Sequence, residues 1–137
     1  MKWLGQLWQS SLSVVKILLQ SKWHTHLPSS FGNPEELLIL ANGPSLSRTV
    51  QEAPEFIKGK TLLAVNFCAT SPMFEQLRPE IYLIADPLFW IVPEKRVQLF
   101  QTLAEKTTWP MNFFVPARAL KNKEWQPMLA GNPNIRL

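Results

Sequence analysis

Apolar residues recur every three or four positions along the first 23 residues, and serine, glutamine and lysine occupy the positions between them. This is the spacing of one face of an amphipathic α-helix. The pattern predicts a helix from about Lys2 to Lys22, either packed on the rest of the domain or lying in the plane of a membrane surface. Its apolar face consists of Trp3, Leu4, Leu7, Trp8, Leu12, Val15, Leu18 and Leu19.

From Leu37 onward the pattern changes to short, continuous apolar runs. Four of them, LLILA, TLLAVN, EIYLIAD and MNFFVP, are typical of strands buried on both faces. These strands are predicted to end near Ala41, Asn66, Asp86 and Val115. The final residues, IRL, resemble the start of a fifth strand.

The segments between these runs have the composition of helices. SLSRTVQEA, SPMFEQL and ALKNKEWQPMLA predict short ones, and PEKRVQLFQTLAEK predicts a longer helix with Val97, Phe100, Leu103 and Ala104 on one face. Alternation of buried strands and helices is typical of a parallel sheet. The fold class we expect is therefore α/β, a Rossmann-like parallel sheet with helices on both faces, preceded by the N-terminal amphipathic helix.

The predicted elements divide the chain into three parts. Residues 1–23 form the amphipathic helix, residues 24–36 a linker rich in Pro, Ser, Gly and Asn, and residues 37–137 the Rossmann-like domain. Because the chain stops where a fifth strand begins, the domain is expected to be either a truncated copy of a longer one or one that closes its sheet in an unusual way. His24 and His26 lie in the linker without a third ligand nearby, so no metal site is expected there.

Composition restricts the partners. The 137 residues are 46% hydrophobic and 18% charged, as in globular domains, and the net charge is +4. Such a charge favours anionic partners, either phosphates or an acidic membrane surface. No basic stripe is interleaved with aromatic residues, so we expect no nucleic-acid partner. The single cysteine, Cys68, excludes an internal disulfide, and it is expected to be a small buried apolar residue.

Polar residues follow three successive predicted strands. The first strand is followed by Asn42 to Ser45, the second ends in Asn66 and the third in Asp86. The carboxyl ends of parallel strands share one edge of a sheet, where ligands of α/β proteins bind. Each of these residues is also an ordinary turn residue. Three such endings at one edge favour a binding site.

The first of these turns suits a phosphate. Gly43 allows close approach of the backbone, Pro44 favours an extended conformation at Gly43, and Ser45 is expected to cap the following helix. Backbone N–H groups at the start of a helix form an anion site without a cationic side chain. The turn is neither a Walker A loop nor a G-x-G-x-x-G motif, because it has one glycine and no Gly-Lys-Ser/Thr.

The segments ILANGPSL, AVNFC and YLIADPLFW resemble the start of bacterial lipooligosaccharide sialyltransferases of the Campylobacter and Haemophilus type. They also resemble the related domains of flagellin-modification and pterin-pyrophosphokinase-like proteins. The resemblance covers Leu37 to Trp90. It implies a Rossmann-like nucleotide-binding fold in which residues 42–45 hold the donor phosphate and ribose. Asn66 would then face the donor or the reacting sugar, and Asp86 stands where the sialyltransferases have Asn.

The resemblance implies a glycosyltransferase of surface polysaccharide or lipopolysaccharide synthesis, or a fragment of one. Its donor substrate would be a CMP-linked sugar and its acceptor a glycan, with no cofactor expected. Metal dependence is not implied, because the sequence has no Asp-x-Asp pair. The catalytic histidine and the nucleotide-binding tyrosines of that family lie beyond the length of this chain, so no general base is identified. Residues 1–23 would hold the protein on the cytoplasmic side of the inner membrane.

Two alternatives remain open. In the pyrophosphokinase-like branch the same turn would bind ATP, and the Asp86 carboxylate would help to hold Mg²⁺. In the other alternative the chain is a catalytically inert remnant that acts only through association.

Overall fold

A computed structural model describes the backbone of residues 2–20 and 36–137 and the side chains of residues 10–19 and 36–137. The predicted linker lies outside these residues except for Glu36, as do His24, His26 and the predicted end of the first helix at Lys22. The helices are α1 Lys2–Gln20, α2 Pro44–Glu52, α3 Pro54–Ile57, α4 Met73–Leu77, α5 Leu88–Ile91, α6 Pro93–Lys106 and α7 Gln126–Ala130. The strands are β1 Leu37–Leu40, β2 Thr61–Val65, β3 Ile81–Leu83, β4 Met111–Phe114 and β5 Ile135–Arg136.

The five strands form one sheet in which every neighbouring pair is parallel and the spatial order is β1-β2-β3-β4-β5. Leu38 lies beside Leu62, and Tyr82 lies beside both Ala64 and Phe113. Short 3-10 helices, Asn66–Thr70 and Ala117–Lys121, follow β2 and β4. The prediction of an α/β fold with a parallel, helix-flanked sheet and an N-terminal helix is confirmed, as is the fifth strand.

One face of the sheet carries the hydrophobic core. Side chains alternate between the two faces of the sheet. The face that includes Leu40, Tyr82 and Phe113 packs against buried residues of α2–α7. On the opposite face, Leu37 and Ile39 of the edge strand β1 are 54% and 60% exposed. In the described residues, α2–α7 therefore pack on the core face, and the predicted covering of the second face by helices is not seen there.

Helix α6 has the predicted bounds and is the main cover of the core. Its Leu99, Phe100 and Leu103 are fully buried. Val97 and Ala104, which were expected on the same face, are half-buried at its margin. The ring of Phe100 packs on Phe113 of β4 with centroids 5.8 Å apart, which joins α6 to the centre of the sheet.

Helix α1 differs from α6 although both were predicted from the same spacing. Every side chain from Ser10 to Leu19 is exposed, including Leu12 and Val15 of the predicted apolar face. Among the described helices, none is both long and apolar enough to cross a lipid bilayer.

Candidate functional site

The carboxyl ends of the strands meet at one edge of the sheet, which we call the carboxyl edge. Leu40 is level with Ala64, Val65 with Leu83, and Leu83 with Phe114. The predicted site residues begin one to three residues after the strand ends. Strand order follows sequence order, so no reversal of strand order occurs within the described sheet. The candidate site is therefore defined by the carboxyl edge and not by a topological switch point.

The turn after β1 starts helix α2. Gly43 is extended, with φ −97° and ψ 159°, and it is the N-cap of α2, with Pro44 as the first helical residue. The expected extended conformation of Gly43 is confirmed. The expected capping by Ser45 is wrong: Ser45 is the second residue of the helix and makes no capping hydrogen bond. The fixed φ of Pro44 and its missing N–H suit the first helical position, so the helix begins one residue before Ser45.

Hydrogen-bonding groups in this turn remain unused. Leu46 N–H donates to Gly43 O at 3.1 Å. Within the described part of the chain, no partner is bonded to the Ser45 N–H, the Ser45 hydroxyl or the Asn42 amide, and Asn42, Pro44 and Ser45 are exposed. Because α2 has nine residues, its N-terminus carries the partial positive charge of a helix dipole. The turn presents donors to solvent.

Asn66, in contrast, is bonded to the fold. Its backbone is left-handed, with φ +50°, and its carbonyl accepts a hydrogen bond from the Tyr82 hydroxyl. Its Oδ1 accepts hydrogen bonds from the N–H groups of Ala85 and Asp86, each at 3.1 Å. The side chain therefore ties the end of β2 to the segment that follows β3.

Asp86 is also bonded locally. Its Oδ1 accepts a hydrogen bond from Leu88 N–H at 2.8 Å, at the start of α5. The structure thus brings Asn66 and Asp86 into direct contact. Within the described residues, no hydrogen bond joins either of them to the turn at residues 42–45.

Tyr82 and Cys68 lie beneath this edge. Tyr82 is fully buried, and its hydroxyl donates to Asn66 O and accepts from Ala69 N–H at 3.0 Å. Burial raises the pKa of Tyr82, and it raises the pKa of the Cys68 thiol to about 11. The expectation that Cys68 is a buried apolar residue is confirmed. Both groups are protonated at neutral pH, so neither is a base or a nucleophile there.

Cationic side chains at the carboxyl edge were not identified from the sequence. The segments that follow β3 and β4, up to the first turn of α6 and the start of α7, carry five cations and three carboxylates. Lys95 Nζ lies 5.6 Å from the ring centre of Phe67, directly after Asn66. Assigning charges to the predicted strand ends would have revealed this excess. The cations are Lys95, Arg96, Arg118, Lys121 and Lys123, and the carboxylates are Asp86, Glu94 and Glu124.

Within the ranges that the structure describes, no three His, Cys, Asp or Glu side chains are grouped as metal ligands would be. No family model, curated protein or solved structure matches the chain. The resemblance of ILANGPSL and its neighbours to the sialyltransferases therefore rests on those residues alone.

Proposed function

We propose that the carboxyl edge binds a nucleotide phosphate, with the turn at residues 42–45 against the phosphate group. The observation that carries this proposal is the difference between the strand ends. Asn66 and Asp86 use side-chain oxygens to hold the fold, whereas Asn42 and Ser45 are exposed, and their side chains and the Ser45 N–H have no partner in the described structure. Uncommitted donors at a helix start are the usual form of a phosphate site.

The phosphate would be held mainly by the backbone. Ser45 N–H points out of the first turn of α2, and the helix dipole favours negative charge there by about 0.3–1 kcal/mol at an exposed site. The Ser45 hydroxyl and the Asn42 amide supply side-chain hydrogen bonds to the phosphate or the adjoining ribose. The excess of cations after β3 and β4 adds long-range attraction for an anionic ligand.

The function supported best is that of a CMP-sugar-dependent glycosyltransferase of surface polysaccharide or lipopolysaccharide synthesis, or the nucleotide-binding part of one. In such a transfer the bond between the sugar and the phosphate breaks while the acceptor hydroxyl attacks the anomeric carbon. Negative charge then develops on the leaving phosphate, and backbone donors already in place would stabilise it. Asn66 and Asp86 are positioning residues in this proposal, because they set the conformation of the carboxyl edge.

Helix α1 supports a location at the membrane. Leu12 and Val15 of its apolar face are exposed, and Lys16 adjoins that face. An amphipathic helix of this kind lies in the interface of a bilayer, with lysines towards anionic head groups. We place the protein peripherally on the cytoplasmic side of the inner membrane, where lipid-linked acceptors are within reach.

Titration calorimetry with CMP, and separately with ATP plus Mg²⁺, tests the nucleotide proposal. The matched variants are Gly43→Ala and Gly131→Ala. A Cβ at Gly43 would lie 3.6 Å from Ser45 Oγ, an ordinary contact, and a Cβ at Gly131 meets nothing within 4 Å, so both variants should fold.

We expect CMP to bind the parent protein and the Gly131→Ala protein, and to bind the Gly43→Ala protein at least about tenfold more weakly, because the added methyl keeps the phosphate from the backbone. Preference for ATP with Mg²⁺ would favour the pyrophosphokinase-like alternative. Absence of binding of either nucleotide at millimolar concentration, in folded protein, would favour the inert remnant.

A further inference from the structure

Arg96 has an unusual environment for a cation. It is the fourth residue of α6, close to the carboxyl edge, and its N–H donates to Val92 O at 3.2 Å. Among the described residues it is the one charged residue that is buried, with a side chain 6% exposed. A buried guanidinium needs acceptors for its N–H groups.

On one side of the Arg96 guanidinium, one of two neighbouring N–H donors is used in an ion pair and the other is not. Nη2 donates a hydrogen bond to Glu124 Oε2. Nε is buried and has no acceptor within the described residues. These two nitrogens lie side by side, in the arrangement that takes both oxygens of a carboxylate or a phosphate. Glu124 occupies one position and leaves the other open.

The two partners differ in what separation would cost them. The Glu124 side chain is 70% exposed, so its carboxylate can return to water with little penalty. Arg96 remains buried and would need a new acceptor. A ligand oxyanion that bonds to both Nε and Nη2 would therefore replace Glu124 with a net gain of one hydrogen bond.

A second buried donor lies in the same corner of the fold. The Nε1–H of Trp90, in α5, has no acceptor within the described residues. The Trp90 ring is 6.2 Å from the ring of Trp125, the residue that follows Glu124. Both unpaired groups are donors, so both call for an acceptor and neither for a cation.

We propose that Arg96 is an oxyanion-binding residue, and that Glu124 is its internal competitor. A carboxylate or phosphate group of a ligand displaces the Glu124 side chain and bonds to Nε and Nη2 together. This site is separate from the turn at residues 42–45, so it does not depend on the proposed nucleotide function.

The test uses the Nε–H cross-peak of Arg96 in ¹⁵N-labelled protein, assigned by its loss in Arg96→Lys. Inorganic phosphate and glucuronate are the two probes, and they distinguish a phosphate ligand from a sugar carboxylate. We expect at least one of them to shift this cross-peak in a saturable way. An unchanged cross-peak at high millimolar concentrations of both anions would overturn the proposal.

Competition gives a second readout that a purely structural ion pair would not produce. Glu124→Gln removes the competing charge, so anion affinity measured on the same cross-peak should rise about tenfold. Lys123→Gln, a neighbouring exposed cation, should change it less than about twofold. Equal affinity of the parent and Glu124→Gln proteins would contradict the competition. If Arg96→Lys fails to fold, through-bond correlation in the parent protein assigns the cross-peak instead. Loss of CMP binding in Gly43→Ala with an unaltered anion response would separate the two sites.

Discussion

The sequence has similar polar residues at the ends of β1, β2 and β3. In the structure, the end of β1 differs from the other two in its hydrogen bonding. All three carry a polar turn residue at the carboxyl edge. Asn66 accepts two backbone N–H groups from the segment after β3, and Asp86 accepts one at the start of α5. The side chains of Asn42 and Ser45 and the Ser45 N–H have no hydrogen-bond partner in the described structure.

This difference separates residues that build an edge from residues that can bind a ligand there. A side chain that already accepts hydrogen bonds from backbone N–H groups cannot turn to a ligand without leaving them unpaired. An exposed turn with unused donors has no such cost. The following predictions sharpen or break this comparison, from the largest expected effect to the smallest.

Asn66→Ala should be the most damaging of the strand-end substitutions. It leaves two N–H groups without an acceptor. It also puts alanine, whose side chain forms no hydrogen bonds, at φ +50°, where the short polar side chain of Asn is better tolerated. We expect the free energy of unfolding to fall by about 3 kcal/mol in urea denaturation. Asn42→Ala, the matched change at the free turn, should alter it by less than about 0.5 kcal/mol. Similar losses from both substitutions would remove the distinction between the strand ends.

The free energy of unfolding should decrease at alkaline pH, because the Cys68 thiol is buried in its neutral form near Asn66. The pKa of Cys68 rises from 9.0 to about 11 on folding, so between these values the unfolded chain loses the thiol proton and the folded protein keeps it. The unfolded state then binds fewer protons, and stability decreases as pH rises, by up to about 1.4 kcal/mol per pH unit from this group. Tyr82, whose pKa is also raised, adds to the loss.

The check is urea denaturation of the parent and Cys68→Ala proteins from pH 7 to pH 11. Stability should be level below about pH 8.5, where both states hold the proton. Above pH 9, the decline in Cys68→Ala should be shallower. A decline of the same slope in both proteins would show that the thiol is not buried as described.

Helices α1 and α6 extend the comparison to apolar groups. Leu99 and Phe100 of α6 are fully buried, whereas Leu12 and Val15 of α1 are exposed. Changing Leu12 and Val15 together to Ser should therefore change the free energy of unfolding by less than about 0.5 kcal/mol. Binding to phosphatidylglycerol vesicles in a flotation assay should fall about tenfold, because that binding depends on apolar area.

Lys16→Gln is the matched change on the polar side of α1. It should weaken binding to the anionic vesicles by about fivefold, since one lysine near such a surface contributes about 1 kcal/mol. Binding to neutral phosphatidylcholine vesicles should be unaffected. Loss of a cooperative melt in the Leu12 and Val15 double variant would instead assign these residues to the core.

Periodicity accounts for what the sequence predicted well. The strand ends near Ala41, Asn66 and Val115, the bounds of α6 and the fifth strand all follow from local runs of apolar residues and from helix spacing. Strand β3 ends at Leu83, three residues before the predicted Asp86. The N-cap of α2 was misplaced by two residues, because Pro44 takes the first helical position ahead of Ser45.

The hydrogen-bond partners of the polar side chains could not be predicted from local patterns. The partners of Asn66 Oδ1 are 19 and 20 residues away, and Glu124 is 28 residues from Arg96. Such contacts arise when strands and helices are packed together, and no local pattern specifies them. Nor does helical spacing state what an apolar face is buried against, which is why α1 and α6 have the same signature and different exposure.

The most direct test of the central claim is an NMR titration of the ¹⁵N-labelled protein with CMP, following backbone amides. The account predicts that Gly43, Ser45 and Leu46 show the largest, saturable shifts, because their N–H groups lie at the start of α2 where the phosphate binds. The amides of Gly131 and Asn132, at the opposite edge of the sheet, should stay in place. Saturable shifts confined to that opposite edge, or unchanged amides at Gly43 and Ser45 with CMP bound, would contradict it.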